Sequence, residues 1–233
     1  MTPEIVVVEV NITSELLFSL QEEQMYFLPW QSRWYQTRFL KSRNLQKGRQ
    51  IGADYYFLFE AFQDACLTGR NKIFFGSVPV NHLLKHAMIK VIKTAHNYIF
   101  KLSNGANIYI FNPEHLTKTT FGGISGDVYI SEWSWIENLR RVIQLSEGIS
   151  MHDKWRVTLY TFRSRMDSCS LLKNSHLADC LLSNGFYQDT VQNSEYEIGH
   201  LCLLNKKGVN QCDSFGVIEK DAQEMIFCCF NDN

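Results

Sequence analysis

The 233-residue chain has only four prolines and thirteen glycines, too few for a collagen-like, linker-built or disordered protein. It lacks any apolar run approaching the ~20 residues of a membrane-spanning helix. The opening Ile5–Val8 run is bracketed by Glu4 and Glu9, unlike a signal peptide. Seven cysteines are present, an odd number, with no Cys-x-x-Cys and with Cys228 adjacent to Cys229. That argues against a zinc ribbon or a redox dithiol and predicts buried thiols in a soluble cytoplasmic protein. There is no net charge to speak of: 23 Lys and Arg against 24 Asp and Glu exclude a globally basic nucleic-acid coat. Internal repeats and low-complexity tracts are also missing. What remains, with 45% hydrophobic residues, is material for one large domain, or one domain and a small appendage.

The neutral total hides a segregation. Between Gln24 and Gly126 thirteen Lys and Arg face four acids, whereas the rest of the chain holds ten against twenty. Such a segment suits a phosphate-bearing partner, and solvated helix faces would give the same count.

Apolar periodicity alternates between strand and helix. Residues 43–47 read as a short strand and 53–68 as a helix, with Leu58, Phe59, Phe62, Ala65 and Cys66 at helical spacing and Gly69 as its cap. Ile73–Phe75 reads as a buried strand. Pro79 and Asn81 open a second helix whose polar side carries Lys85, Lys90 and Lys93. Asn104-Gly105 between 98–103 and 106–111 signals a hairpin. A strand at Asp127–Ile130, a helix to about Gly148 and a strand at Arg156–Thr161 follow. The pattern predicts an α/β fold, a largely parallel sheet flanked by helices, with anion sites at the strand C-termini.

One junction falls where such a site belongs. Lys47-Gly-Arg-Gln-Ile-Gly-Ala-Asp54 links the predicted strand to the predicted helix, and its backbone N–H groups would point at an anion held by the helix N-terminus. The Gly-Lys-Ser/Thr ending of a regular phosphate loop is not met, and an ordinary strand–helix turn could look the same. About 80 residues downstream, Asp127-Val-Tyr-Ile-Ser-Glu132 is an apolar run with an acidic tip, the shape of a Walker B strand. Ser131 then takes the metal position and Glu132 that of the general base. Sixteen residues before Lys47 stands Gln31, whose amide can read an adenine edge or can simply lie exposed on a helix.

Trp30-Gln31, the loop 47–54, Thr68–Ser77, Leu102–Ala106 and Gly126–Ile136 occur in one order. This series resembles the ATPase domain of the large terminase subunit of tailed phages, the motor that packages DNA into a prohead. It is similar above all to the branch whose loop reads Lys-Ser-Arg-Gln-Ile-Gly-Ala-Thr. The resemblance runs from about Trp30 to Arg165. It implies a P-loop NTPase-like fold of the ASCE type, with a terminase-like domain over 1–165 and a C-terminal extension, 166–233, completing or decorating it. It further implies ATP and Mg²⁺ as cofactors, Gln31 at adenine, Lys47, Arg49, Gln50, Gly52 and Asp54 at the phosphates, and Glu132 as the catalytic carboxylate.

Departures from that pattern matter. Asp54 stands where the family has a loop-closing Thr, Ser131 where it has an Asp, and Thr161-Phe162-Arg163 where a small Ser-Thr coupling motif is expected. Two readings follow. Either metal binding and turnover are lost, or Asp54 and Ser131 are exchanged Mg²⁺ ligands, since the ion accepts either oxygen but demands near-octahedral geometry. The 68 residues after Arg165 are too few for the usual RNase H-like nuclease sheet. The expectation is therefore a hydrolysis-impaired protein that binds terminase subunits, the portal or double-stranded DNA through Lys85, Lys90 and Lys93, with self-association also open and no membrane partner. The alternative is a working motor domain whose nuclease is on another chain. In the tail, 196–204 and 222–230 read as closing strands.

Overall fold

A computed structural model of the chain describes residues 5–48, 51–76, 78, 80, 97–116, 122–161 and 187–191. Eight strands form one sheet: β1 (Ile5–Val10), β2 (Ser42–Lys47), β3 (Lys72–Phe75), β4 (Asn97–Leu102), β5 (Asn107–Phe111), β6 (Asp127–Ser131), β7 (Val157–Thr161) and β8 (Tyr187–Val191). Their order is β1-β4-β5-β3-β6-β7-β2-β8. Every pairing is parallel except the β4–β5 hairpin, which turns through Asn104-Gly105. The α/β reading of the sequence holds.

Side chains alternate across this sheet with the two-residue period of a strand. Phe74, Tyr129 and Tyr160 face a core built with α1 (Ser14–Glu23), α2 (Pro29–Gln36) and α3 (Ala53–Thr68). Ile73, Phe75, Val128, Ile130 and Leu159 face the opposite core, which is closed by α4 (Leu139–Ile149). With both faces covered, the central strands read as unbroken apolar runs.

Helix α3 matches the sequence-predicted bounds because both ends carry a glycine in the left-handed region, Gly52 at φ 77° and Gly69 at φ 72°. It is buried almost all round, from Tyr56 to Cys66, so it runs through the core with no polar outer face. Burial pushes the Cys66 thiol up to about 12, in line with the expected inert thiol; the other six cysteines lie outside the described residues.

One expectation changes, and the structure adds two strands. Part of the excess positive charge is internal: Arg43 pairs with Glu60, while Lys72 pairs with both Asp64 and Asp127, all buried. A charge count cannot tell a paired cation from an exposed one, so the phosphate-facing surplus is smaller than the sequence suggested. Next, the tail adds β8, which pairs with β2 at the sheet edge; the segments 196–204 and 222–230 lie outside the described residues. Finally, the opening apolar run is itself β1, paired along β4. The 81–95 helix with Lys85, Lys90 and Lys93 also lies outside the described residues. Among the described residues, no helix is long and apolar enough to cross a membrane.

Candidate nucleotide site at the sheet C-terminal edge

Strands β2, β7 and β6 are adjacent, and parallel pairing brings their C-terminal ends to one edge. That edge gathers Lys47 from β2, Thr161 from β7, Ser131 from β6 and the following Glu132. Asp54 in the first turn of α3 joins them, as the strand–turn–helix connection requires.

The Lys47 ammonium lies 2.6 Å from a Glu132 carboxylate oxygen, the lysine buried and the glutamate 27% exposed. Glu132 is the one non-glycine residue at positive φ among the described residues, at φ 49°. This conformation is costly for a side chain bearing a Cβ. Here it ends β6 abruptly and starts a 3-10 turn, Trp133–Trp135. The other Glu132 oxygen accepts a 3.4 Å hydrogen bond from the Thr161 hydroxyl, which lies 2.6 Å from the Ser134 hydroxyl.

Asp54 and Ser131 meet directly, the Ser131 hydroxyl donating to Asp54 at 3.0 Å. Two hard oxygen groups in contact, one carboxylate and one hydroxyl, fit the way Mg²⁺ is held by few protein ligands beside substrate phosphates. Among the described residues no group of three or more His, Cys, Asp or Glu offers a protein-only metal cage. Gly76, at φ 129° at the end of β3, permits the close approach behind Ser131: a Cβ there would lie 2.8 Å from that of Ser131.

Gln31 is on a helix, as one reading required, but it is 5% exposed. The exposed-surface alternative is therefore overturned. Its Oε1 accepts from the Leu28 N–H at 2.9 Å, capping α2. Its Nε2 would sit 3.4 Å from a Cβ on Gly52. The amide thus packs against the turn that leads into α3, with its Nε2 donor beside Gly52.

The structure therefore brings Gln31, Lys47, Gly52, Asp54, Ser131 and Glu132 to one locus. Arg49, Gln50, Phe162 and Arg163 lie outside the described residues. Sequence reasoning missed Ser134, whose Ser-x-x-Ser spacing from Ser131 was the available signal. It missed Tyr160 as well, which sits opposite Ser131 in the β6–β7 register. A third omission is the support from β8, where the Val191 carbonyl accepts the Gly48 N–H at 2.9 Å as the loop begins.

A buried clamp underlies the edge. Arg43 on β2 forms a two-pronged ion pair with Glu60 on α3, at 2.5 and 3.0 Å. The hydroxyls of Tyr56 and Tyr129 also donate to Glu60, and Arg43 reaches Thr158 on β7. Burial alone would lower the Arg43 pKa, but Glu60 raises it well above its ordinary value.

Comparison with known proteins bears on the family and the fold. Residues 44–171 match the family described as terminase large subunit, T4likevirus-type, N-terminal. The chain is 36% identical over 126 residues to a "Probable terminase, ATPase subunit" of Haemophilus phage HP1, covering 51% of this chain and 20% of that protein. It is 26% identical over 154 residues to the "Terminase, ATPase subunit" of Escherichia phage P2, covering 62% and 26% respectively. The matched stretch thus spans a fifth to a quarter of those relatives. The fold is similar to the large terminase ATPase domain of Thermus phage P74-26, with a TM-score of 0.51 at 10% identity over 80% of this chain and 87% of that one.

Proposed function

The chain belongs to the terminase large-subunit N-terminal family, which matches more than half of it, and from that premise we propose a hydrolysis-impaired packaging-ATPase domain that acts by binding. The 2.6 Å Lys47–Glu132 ion pair carries this reading. A cation suited to phosphate and a carboxylate suited to orienting water are spent on each other, and nucleotide binding has to separate them.

Asp54 adds a second obstacle. A carboxylate at the helix start faces the position of the incoming phosphates, and two unit charges ~4 Å apart repel by about 4 kcal/mol at an effective dielectric of ~20. A charge-assisted hydrogen bond from Lys47 returns only about 1.5–3 kcal/mol. Binding should therefore require a divalent cation. Asp54 and Ser131 are the residues that would hold it, and when bound it would neutralise phosphate charge. Lys47 and the loop N–H groups would hold the phosphates, Gln31 the base, and Glu132 the water.

The Asp54–Ser131 contact favours a second reading, a working motor domain with exchanged ligands. The usual hydroxyl on the loop and carboxylate on the strand are present with their places reversed, so the site's charge count is unchanged. We favour impairment because Mg²⁺ tolerates displaced ligands poorly. As partners we propose terminase subunits, the portal or double-stranded DNA in the host cytoplasm, with self-association as part of the same reading.

The test is equilibrium binding of a fluorescent ATP analogue with Mg²⁺. Micromolar binding that Lys47→Ala weakens at least about tenfold, a loss on the scale of one charge-assisted hydrogen bond, supports the reading. Binding indifferent to Lys47 refutes it.

A further inference from the structure

Tyr160 has no role in the site as described so far, yet its placement needs a reason. The side chain is fully buried, and its hydroxyl makes no full hydrogen bond among the described residues, with the Ser131 hydroxyl and the Asp54 carboxylate as its polar neighbours. Buried hydroxyls are nearly always satisfied, so an orphan of this kind calls for an explanation.

Its surroundings supply one. Tyr160 lies opposite Ser131 across the β6–β7 pairing. Its ring stacks on Phe57, with centroids 4.4 Å apart and planes 25° from parallel. Phe57 follows Asp54 by three residues on α3, so the two share a helix face. The stacked ring is thereby held beside Asp54, and Asp54 and Ser131 are the side chains its hydroxyl faces. A tyrosine hydroxyl carries a proton to donate.

Resting on the reading of Asp54 and Ser131 as a cation-holding pair, we propose that Tyr160 is the positioning residue of that pair. Its hydroxyl donates to the Asp54 carboxylate and aims the free oxygen at a divalent cation. With Asp in place of a short hydroxyl residue, the carboxylate has torsional freedom that two donors, Ser131 from one side and Tyr160 from below, remove. A hydrogen bond to a ligating carboxylate is the usual device for setting its orientation and affinity.

The experiment measures binding of Mn²⁺–ADP to the 233-residue chain, read from the broadened EPR spectrum of the bound ion, alongside thermal melting. Wild type, Asp54→Asn and Tyr160→Phe are compared. Tyr160→Phe is expected to weaken binding about tenfold or more while its melting temperature stays level or rises, because an unsatisfied buried hydroxyl has been removed. Unchanged Mn²⁺–ADP affinity in Tyr160→Phe, with Asp54→Asn impaired, overturns the proposal and leaves the cation pair standing. Weaker binding together with a melting temperature lower by several degrees also overturns it, since Tyr160 would then be structural. Wild type that binds no more Mn²⁺–ADP than Asp54→Asn removes the cation pair itself, and the proposal with it.

Discussion

Lys47 at the end of β2 and Glu132 just past β6 form a 2.6 Å ion pair across the C-terminal edge of the sheet. A strand, β7, separates theirs, and Glu132 holds a left-handed backbone at φ 49° where the chain leaves β6. In the proposed reading, nucleotide and Glu132 compete for the same ammonium group.

That competition sets the first expectation. Glu132→Gln removes the charge that holds Lys47, so ATP-analogue affinity should rise severalfold while any turnover falls to background. Equal or weaker binding by the variant would show that the ion pair is not what limits nucleotide entry.

Divalent-cation dependence is the second. Chelation of Mg²⁺ should lower nucleotide affinity by at least about a hundredfold, given the ~4 kcal/mol repulsion at Asp54. Asp54→Asn should bind nucleotide nearly as well with EDTA as without. Calorimetric titration under both conditions reads this directly.

The third concerns the buried clamp under the loop. Arg43→Met or Glu60→Gln alone strands a buried charge or polar group and should cost about 3–5 kcal/mol of stability. Glu60 also accepts from Tyr56 and Tyr129, an acceptor role that glutamine keeps, so the paired change Arg43→Met with Glu60→Gln should recover much of the Arg43→Met loss. Urea denaturation of the three variants is the measurement, and additive losses would contradict the account.

A fourth follows from the opposite end of the sheet. Burial by itself would raise the Asp127 carboxyl, but the Arg70 hydrogen bond and the Lys72 and Arg156 charges more than offset it and leave it below its ordinary value. A carboxyl depressed in the fold contributes stability that is fully present above the unfolded value, near 3.9. It is lost as the pH falls through the folded value. Wild type should therefore lose stability as the pH drops below about 4, and Asp127→Asn should be less stable at neutral pH with a shallower acid loss. Melting temperatures between pH 7 and pH 3 distinguish the two.

The legible parts of the chain were those that local physics dictates. Gly52 and Gly69 bracket α3 because only a residue tolerant of positive φ ends a helix cheaply, and Asn104-Gly105 marks the hairpin for a similar reason. The loop and the acidic tip were legible as ordered motifs. Other features depend on contacts distant in sequence. Tyr187-Gln-Asp-Thr-Val191 lacks the apolar density of a central strand, so β8 is defined only by its pairing with β2. Nothing local marks Gln31 as buried beneath the loop, or Arg43 and Lys72 as internal. Tyr160 drew no notice within the 156–161 strand, because the polar neighbours of a buried hydroxyl exist only in three dimensions.

The central claim, a terminase-type site whose metal pair is altered and whose hydrolysis is impaired, is tested most directly by DNA-stimulated ATP turnover of the wild type beside Asp54→Thr/Ser131→Asp. The account predicts wild-type turnover below about 1 s⁻¹, the low end of ordinary enzymes, and a gain of about tenfold or more in the double variant. Wild-type turnover well above that rate, abolished by Glu132→Gln and not improved by the double change, would contradict it and establish the exchanged pair as a working one.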